Sequence, residues 1–477
     1  MTERIRSTAH LCIALLLVSG CTKAVTGAPT LTPCTLPGVT REANCLDLEV
    51  PENPDAPSGR KLRIHTAVVP ATGLRPFSDA IFVFAGGPGQ SATEIAGGVM
   101  PLFAGLEARR DVVFIDQRGT GRSAPLSCPE DVRGKRPLAT SLDEDRNAAL
   151  LIECRNGFID AGVDLAQYAT WVAMRDVEAV RRALGYGPVN LWGASYGTRA
   201  AMEYARQFPE SVRSMIIDGV APATKPLPVA LAFDTDLALD QVLMRCTTCL
   251  DGGSMADALA IVLDPDGGTQ RFVDPYFGTP VEVSLRRATR VGMVRAPLYA
   301  PMLAAALPAA VARAAAGDWT AVFGLQAGLG GGGLYSGMHF SVLCAEDVSR
   351  ITDADRASVK TTRAGTTFID EYERACRGWP TRPVPPEFFA PPSFSAPTLL
   401  LSGGSDPATP PRHAAEVART LKQATHFVAP KLGHGVSTSG CGPLLVHQFF
   451  TKGSAAGLDG GCLDDIPAPT LFEAPTP

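Results

Sequence analysis

Three residues that could together attack a carbonyl group occur in this chain in the order Ser195, Asp406, His434. Ser195 is the centre of the pentapeptide 193–197, which reads G-A-S-Y-G. A serine hydroxyl is a poor nucleophile at neutral pH, so it needs a histidine as its base and a carboxylate to orient that histidine. The set therefore predicts nucleophilic catalysis through an acyl-enzyme, with Ser195 as nucleophile, His434 as base and Asp406 as orienting acid.

The residues on either side of Ser195 have contrasting patterns. The apolar run 189–192 predicts a strand, and a helical pattern of small residues follows the pentapeptide until Pro209 ends it. A strand, a sharp turn and a helix in this order form the setting that holds a serine hydroxyl above a parallel sheet. Gly193 and Gly197 would let the chain turn tightly without a Cβ in the way.

The predicted acid and base also follow strands. Asp406 comes shortly after the buried run 398–401, and His434 lies in a glycine-flanked loop after the run 425–429. Because open α/β sheets place their sites at the carboxyl ends of strands, we expect both side chains near Ser195. Asp218 also ends a predicted strand and is the alternative acid.

An oxyanion hole needs two backbone N–H groups directed at the developing negative charge. Tyr196, the residue after the serine, would supply one of them. The strand 80–85 ends at Gly86 and Gly87, whose backbone can approach a substrate carbonyl because it carries no side chain. We therefore predict Gly86, Gly87 and Tyr196 as the oxyanion hole.

The elements that must position these residues alternate along the chain. Apolar and alternating runs predict strands at 46–50, 61–69, 80–85, 111–116, 189–192, 214–218, 398–401 and 425–429. Helical patterns occupy 172–184, 198–207, 412–421 and 443–450. Strands that alternate with helices indicate an α/β fold with a mostly parallel, doubly wound sheet.

The alternation is interrupted once, by a helix-rich stretch with a possible hairpin at 270–284. We interpret this stretch as a helical cap or lid inserted into the sheet domain. The predicted division is a signal peptide at 1–20, a tether at 21–44, the first part of the core at 45–220, the cap at 221–392, the second part of the core at 393–465 and a tail at 466–477.

Residues 1–20 have the composition of an export signal. Two arginines precede the apolar run 11–18, which is too short to span a bilayer. The sequence V-S-G-C that ends at Cys21 resembles a bacterial lipobox, so we expect Cys21 to be lipidated and to anchor the protein to a membrane, facing the periplasm or the cell exterior. Cleavage after Ala24 or Ala28, which would release a soluble protein, is the alternative.

Of the 12 cysteines, ten remain when Cys12 in the signal and Cys21 are set aside. An even number in an exported chain indicates disulfide bonds. Cys246 and Cys249 form a C-x-x-C unit that could instead be redox-active, but no thioredoxin-like pattern surrounds them. The simplest expectation pairs sequence neighbours: Cys34–Cys45, Cys128–Cys154, Cys246–Cys249, Cys344–Cys376 and Cys441–Cys462.

The composition argues against several other classes of function. The formal net charge is -5 and the basic residues form no run, so we expect no nucleic-acid binding. The sequence carries no metal-binding signature, and we expect no metal or cofactor. The G-x-G-x-x-A motif at 119–124 could cradle a dinucleotide, but Pro125 follows where that motif needs a helix.

Three motifs recur in one known family. They read G-G-P-G at 86–89, D-Q-R-G-T-G-R-S at 116–123 and G-A-S-Y-G at 193–197. Together with the segments 176–185, 216–220 and 396–462, they resemble the prolyl aminopeptidase and tripeptidyl aminopeptidase family of α/β-hydrolases. Ala85 stands where that family often has a histidine before the two glycines.

The resemblance implies an α/β-hydrolase fold and a serine exopeptidase that removes N-terminal residues, prolyl or tripeptidyl, from peptides. The triad and the oxyanion donors that the resemblance implies are the ones already predicted above from the sequence pattern. A carboxylesterase or lipase with this triad is the alternative, and a non-catalytic binding protein on the same scaffold is a third hypothesis. An aminopeptidase must also hold a free ammonium group, for which Glu346 and Asp347 are candidates; acids that decorate a helix N-terminus are the alternative interpretation.

Overall fold

The fold is described from a computed structural model, which covers residues 30–131, 137–246, 254–264, 268–328 and 333–472. The predicted signal peptide at 1–20 and the predicted lipidation site at Cys21 lie outside the described residues. The predicted Cys246–Cys249 pairing also lies outside them, because Cys249 does.

The described chain alternates between strands and helices, with one long interruption after the seventh strand. The strands are β1 (Thr32–Cys34), β2 (Ala43–Pro51), β3 (Lys61–Val69), β4 (Ile81–Phe84), β5 (Val112–Ile115), β6 (Val189–Ala194), β7 (Val212–Asp218), β8 (Thr269–Val273), β9 (Pro280–Ser284), β10 (Thr398–Gly403) and β11 (Ala424–Ala429). The helices are α1 (Ala96–Val99), α2 (Leu138–Ser141), α3 (Glu144–Asp160), α4 (Thr170–Ala183), α5 (Tyr196–Gln207), α6 (Leu227–Leu243), α7 (Met255–Val262), α8 (Arg287–Arg295), α9 (Pro301–Ala315), α10 (Thr320–Gly328), α11 (Ser336–Glu346), α12 (Asp353–Val359), α13 (Thr367–Cys376), α14 (Pro411–Ala418) and α15 (Gly442–Lys452).

A nine-stranded sheet forms the centre of the molecule, in the order β1-β2-β3-β5-β4-β6-β7-β10-β11. The neighbours from β1 to β5 pair antiparallel, and those from β5 through β4, β6, β7 and β10 to β11 pair parallel. Parallel strands need crossover connections, which here are mostly helices. The predicted α/β fold with a mostly parallel sheet is confirmed.

Both faces of the sheet are covered, which explains why its central strands read as continuous apolar runs. In β4, Phe82 and Phe84 point into the core that contains α4 and α5, whereas Ile81 and Val83 point into the core that contains α15. This alternation follows from the two-residue period of a strand. The carboxyl ends of the parallel strands therefore meet at one edge of a sheet that is rigid on both sides.

The residues between β7 and β10, here called the insertion, contain the helices α6 to α13 and the hairpin of β8 and β9. Most of these helices share a separate apolar core that includes Leu239, Leu259 and Leu307. Helix α2 precedes β7 in sequence, yet it contributes Leu138 to that core. Helix α11 belongs to the insertion in sequence but packs Val342 into the core of the sheet. Each of the two cores thus includes a helix that belongs, by its position in the sequence, to the other part of the chain.

Four disulfide bonds have the pairing that was predicted from sequence neighbours: Cys34–Cys45, Cys128–Cys154, Cys344–Cys376 and Cys441–Cys462. They close segments whose ends lie between 11 and 32 residues apart. Disulfides of this kind are typical of exported proteins. In the residues that the structure describes, no helix has both the length and the apolar composition needed to cross a membrane.

Candidate active site

Ser195 occupies a sharp turn between β6 and α5, as its sequence context predicted. Its backbone has φ 57° and ψ −127°, a conformation that costs free energy for a residue with a Cβ. Two contacts hold the turn: the Ser195 N–H donates to the Asp218 carbonyl at 2.9 Å, and the Thr198 hydroxyl donates to the Ser195 carbonyl at 2.6 Å. The surrounding structure therefore fixes a strained serine at the carboxyl end of the sheet.

The two glycines of the pentapeptide are needed for close packing. A Cβ on Gly193 would lie 2.4 Å from the carbonyl oxygen of Gly197. A Cβ on Gly197 would lie 2.1 Å from the carbonyl oxygen of Phe84 in the neighbouring strand. Both contacts are shorter than non-bonded atoms allow, so only glycine lets α5 begin this close to the sheet.

Asp406 and His434 form a direct pair. Asp406 follows β10 and His434 follows β11, and the His434 Nδ1 lies 2.8 Å from the Asp406 Oδ2. The N–H groups of Ala408 and Thr409 each donate to the other carboxylate oxygen at 2.9 Å, and the Thr409 hydroxyl donates to Oδ2 at 2.6 Å. Because a carboxylate can only accept, the hydrogen between the pair is on Nδ1, which leaves Nε2 as the basic nitrogen.

The imidazole of His434 is held on two further sides. The ring of Tyr299 meets it edge to face with the centroids 5.1 Å apart. Gly219, which has φ +67°, packs against it so closely that a Cβ there would lie 3.3 Å from the ring. Both hydrogen bonds of the ring use Nδ1, so no bond to Ser195 is formed within the described residues. Such catalytic bonds are often long until substrate binds.

Asp218, the alternative acid, makes different contacts. Its buried carboxylate accepts from the N–H groups of Val436 and Ser437, at 3.0 and 2.6 Å, and from the Ser437 hydroxyl at 2.6 Å. It therefore fixes the loop immediately after His434, while Asp406 alone of the two acids bonds to the imidazole. This geometry favours Asp406 as the orienting acid.

The two partners shift each other's pKa in opposite directions. Burial alone would raise the pKa of Asp406, but the attraction of His434 and the hydrogen bonds from His434 and Thr409 lower it to about 2. Burial alone would lower the pKa of His434, but the Asp406 carboxylate outweighs that effect and raises the pKa above its usual 6.5. The carboxylate is therefore ionised at neutral pH and stabilises a protonated imidazole.

The raised pKa sets an expected pH dependence. We expect kcat/KM to increase with pH and to reach half of its plateau above pH 6.5, because His434 must be neutral to accept a proton. A profile of kcat/KM from about pH 5 to pH 9 measures this limb for the free enzyme. A half-plateau below pH 6.5 would contradict the assignment of His434 as the base.

The predicted oxyanion loop lies against the serine. A Cβ on Gly86 would be 3.3 Å from the Ser195 Cβ, and Gly87 has φ +106° and precedes a cis peptide bond to Pro88. Tyr196 is the first residue of α5, where an N–H has no partner within the helix. The structure thus brings the three predicted donors close to Ser195.

The motif at 116–123 anchors this loop. The buried carboxylate of Asp116 accepts from the Ser91 hydroxyl at 2.7 Å, from the Thr93 N–H at 3.0 Å and from the Arg122 N–H at 3.0 Å. A Cβ on Gly121 would lie 2.0 Å from the same carboxylate. The glycines that suggested a dinucleotide site therefore serve a tight turn around Asp116.

A cavity of about 180 Å³ opens beside Ser195 and Tyr196. Its opposite wall comes from the insertion and includes Arg295, His339 and Tyr372. The His339 ring donates from Nδ1 to the carbonyl of Pro88 at 2.9 Å, because a carbonyl can only accept. Sequence reasoning missed these wall residues, and no local motif marks them.

Glu346 and Asp347, the candidates for binding a substrate amine, are fully buried and do not line the cavity. Both pair with Arg199, whose Nη1 lies 2.8 Å from Asp347 and 3.4 Å from Glu346. Glu346 also accepts from the N–H and the hydroxyl of Thr170, at 2.6 and 3.0 Å. The two carboxylates thus contact a guanidinium of the protein itself.

The alternative interpretation of these two acids also needs correction. Both lie at the carboxyl end of α11, of which Glu346 is the last residue; Asp347 also precedes a short 3₁₀ turn at Val348–Arg350, but its side chain does not cap that turn. Burial raises the pKa of Glu346 to about 7, although Arg199 opposes this rise. A carboxylate at a helix C-terminus is unfavourable by itself, and Arg199 supplies the compensating charge.

Two sequence families match this chain. The family described as alpha/beta hydrolase fold matches residues 79–250, and the family described as TAP-like protein matches residues 361–462. The first match contains Ser195 and the oxyanion loop, and the second contains Asp406 and His434.

Curated relatives include peptidases and an esterase. The serine protease Hip1 of Mycobacterium tuberculosis is 29% identical over 471 residues, which cover 86% of this chain and 88% of that protein. The tripeptidyl aminopeptidase of Streptomyces lividans is 30% identical over 209 residues, 41% of this chain and 39% of that protein. Carboxylesterase B of M. tuberculosis is 28% identical over 424 residues, 80% of this chain and 78% of that protein.

Proposed function

We propose that this chain, which is an α/β-hydrolase, is a serine peptidase that removes N-terminal residues from peptides. The observation that carries the proposal is the pair of the buried Asp406 and the partly buried His434, 2.8 Å apart, at the same edge of the sheet as the strained Ser195. The relatives that are named as a serine protease and as a tripeptidyl aminopeptidase support a peptide substrate.

In the proposed reaction, Ser195 attacks the scissile carbonyl while His434 accepts its proton at Nε2. The N–H groups of Tyr196 and of the Gly86-Gly87 loop bind the oxyanion of the tetrahedral intermediate. His434 then gives the proton to the leaving amine, and an acyl-enzyme remains on Ser195. Water, activated by the same histidine, releases the acid and restores the serine.

A carboxylesterase is the second candidate, and two observations favour it. One relative is named as a carboxylesterase and matches 80% of this chain. In addition, Glu346 and Asp347 are paired with Arg199 and are not directed into the cavity, so the structure offers no acid there for a substrate amine within the described residues. Esters and amides are both cleaved through an acyl-enzyme, so the peptidase and the carboxylesterase can be distinguished only by the substrates that the enzyme cleaves.

We also propose that the insertion, which contains the predicted cap at 221–392, covers the site, since it supplies one wall of the cavity. The disulfides and the Hip1 relative indicate an exported protein. The lipobox that ends at Cys21 supports anchorage to a membrane through a lipid, which mass spectrometry of the mature N-terminus would test.

One substrate series tests the peptidase assignment. We expect hydrolysis of prolyl and tripeptidyl arylamides with a free amine and a loss of at least about tenfold in kcat/KM when the amine is acetylated, because a lost charged contact has this size. Short-chain 4-nitrophenyl esters, assayed beside them, control for an intact triad.

Equal cleavage of free and acetylated amides would show that the amine is not recognised and would refute the exopeptidase. Hydrolysis of esters without any hydrolysis of amides would favour the carboxylesterase. Loss of all of these activities in Ser195→Ala assigns them to this site and not to a contaminant.

A further inference from the structure

Arg295 is a cation in the cavity wall that the proposed reaction does not use. It is the last residue of α8 and faces the cavity beside Tyr299, which contacts His434. Its guanidinium bonds to the Tyr299 hydroxyl and stacks 4.9 Å from the Tyr299 ring centroid and 5.6 Å from that of Phe368. These contacts hold a guanidinium in a defined place, and none of them supplies a negative charge.

The hydrogen-bonding capacity of Arg295 is not used up. Its Nε–H is buried and has no hydrogen-bond partner in the part of the chain that the structure describes. A buried donor without a partner costs free energy, so an acceptor brought beside this guanidinium would relieve that cost. A guanidinium matches the geometry of a carboxylate because two of its N–H groups can bond to the two oxygens.

The acids whose charges act on Tyr299 already have partners. No aspartate or glutamate is among the described residues that line the cavity. Asp234 and Asp406 are the acids whose charges act on Tyr299, and both are bound to other residues. Asp234 binds Arg412 and His413, and Asp406 binds His434.

The second arginine of the wall behaves differently. Arg199 lines the same cavity, but it pairs with the two buried carboxylates of Glu346 and Asp347. Its charge is therefore compensated, while the charge of Arg295 is balanced by no ion pair among the described residues. This contrast leaves the cavity with one uncompensated cation, close to the proposed base.

We propose that Arg295 binds a carboxylate of the substrate, so that the enzyme selects substrates with an anionic group near the scissile bond. This inference rests on the proposed site at Ser195 and specifies its substrate class. The carboxylate has two possible sources: an acidic side chain on the acyl residue, or the free C-terminus of a short leaving group. Both would place a negative charge within reach of the cavity.

Matched substrate pairs test the proposal and separate the two sources. The first pair is the 4-nitroanilides of glutamate and glutamine, which differ in charge but hardly in shape. The second is alanyl-alanine and its C-terminal amide. For one pair, we expect kcat/KM to favour the carboxylate by roughly 10- to 100-fold, the factor that a hydrogen bond to a charged group contributes.

Variants of Arg295 connect that preference to the residue. Arg295→Gln should abolish the preference by lowering kcat/KM for the charged member of the pair much more than for the neutral member, since the triad is untouched. Arg295→Lys should keep part of the preference because it keeps the charge. Arg313→Gln is the matched control, because Arg313 pairs with Asp318 and does not line the cavity.

Three outcomes would overturn the proposal. They are equal rates within both pairs in the natural enzyme, an unchanged preference in Arg295→Gln, and an equal loss for charged and neutral substrates in Arg295→Gln and Arg295→Lys. The last result would mean that Arg295 only supports the fold. In that case the melting temperatures of both variants should lie below that of the natural enzyme.

A third pair separates this proposal from the peptidase assignment. It consists of the 4-nitrophenyl monoester of glutaric acid and 4-nitrophenyl butyrate. If no amide is cleaved but the charged ester is preferred through Arg295, the peptidase assignment fails and the carboxylate site stands. If amides are cleaved without any charge preference, the peptidase stands and the carboxylate site fails.

Discussion

Ser195→Ala is expected to reduce kcat by about 10⁵- to 10⁶-fold on every substrate that the natural enzyme cleaves, because no other group can form the acyl-enzyme. The variant should also fold normally. Alanine keeps the Cβ and removes only the hydroxyl, so it meets the same backbone strain at φ 57° as serine does. Turnover and melting temperature, measured on the same preparation, test both statements.

The triad also predicts how a second substitution behaves. Because Ser195 and His434 act as a unit, adding His434→Ala to Ser195→Ala should cause little further loss. A Ser195→Ala variant with more than about a hundredth of the natural kcat would refute the nucleophile, since the residual rate of such variants is far lower. If the fold-losses in kcat of the two single variants multiplied in the double variant, Ser195 and His434 would act independently and the prediction would be wrong.

Asp406→Asn is expected to lower kcat by about 10⁴-fold, since an asparagine can no longer fix the hydrogen on Nδ1 of His434. The substitution also removes the charge that raises the pKa of His434. The rising limb of the pH profile should therefore move to lower pH, and the plateau should fall at the same time. A kcat profile with pH, set beside that of the natural enzyme, measures both effects.

Asp218→Asn provides the matched control for this result. Asp218 is as buried as Asp406 and also ends near His434, but it bonds to the backbone of the following loop. Its substitution should lower the free energy of unfolding by about 1 to 3 kcal/mol through a buried acceptor that is lost, with a much smaller loss of kcat. If Asp218→Asn impaired catalysis more than Asp406→Asn, the two acids would have to exchange roles.

The residues proposed as the triad and the oxyanion loop could be picked out of the sequence because they follow strands. An apolar run that ends in glycine, serine or aspartate marks a strand end, and parallel strands bring such ends to one edge. Asp406 and His434 are 28 positions apart and meet only because β10 and β11 are adjacent. Alternation of strands and helices predicted that both residues follow strands at the carboxyl edge of the sheet, and the structure adds that the two strands are neighbours.

The charged clusters could not be predicted in this way. Arg199 meets Glu346 and Asp347 across about 150 positions, and no periodic pattern connects them. Arg295 was missed for the same reason, since an isolated arginine at the end of a helix is usually exposed. Such contacts depend on how the insertion packs on the sheet.

Helix α3 was missed for a different reason. None of its residues is fully buried, and Leu151 and Phe158 pack against the core from partly exposed positions, so the apolar stripe by which surface helices are recognised is narrow. Asp143 before it was a usable signal, because its side chain caps the helix by accepting from the N–H of Arg146. Capping residues thus carry information about helices that periodicity does not.

The disulfide Cys344–Cys376 joins two helices that both supply wall residues of the cavity. His339 lies on α11 and Tyr372 lies on α13, and the Cα atoms of the two cysteines are 5.3 Å apart. Because a covalent bond joins the helices, a displacement of α11 away from the cavity would have to carry α13 with it. This side of the cavity is therefore shaped by a cross-linked pair of helices and not by either helix alone.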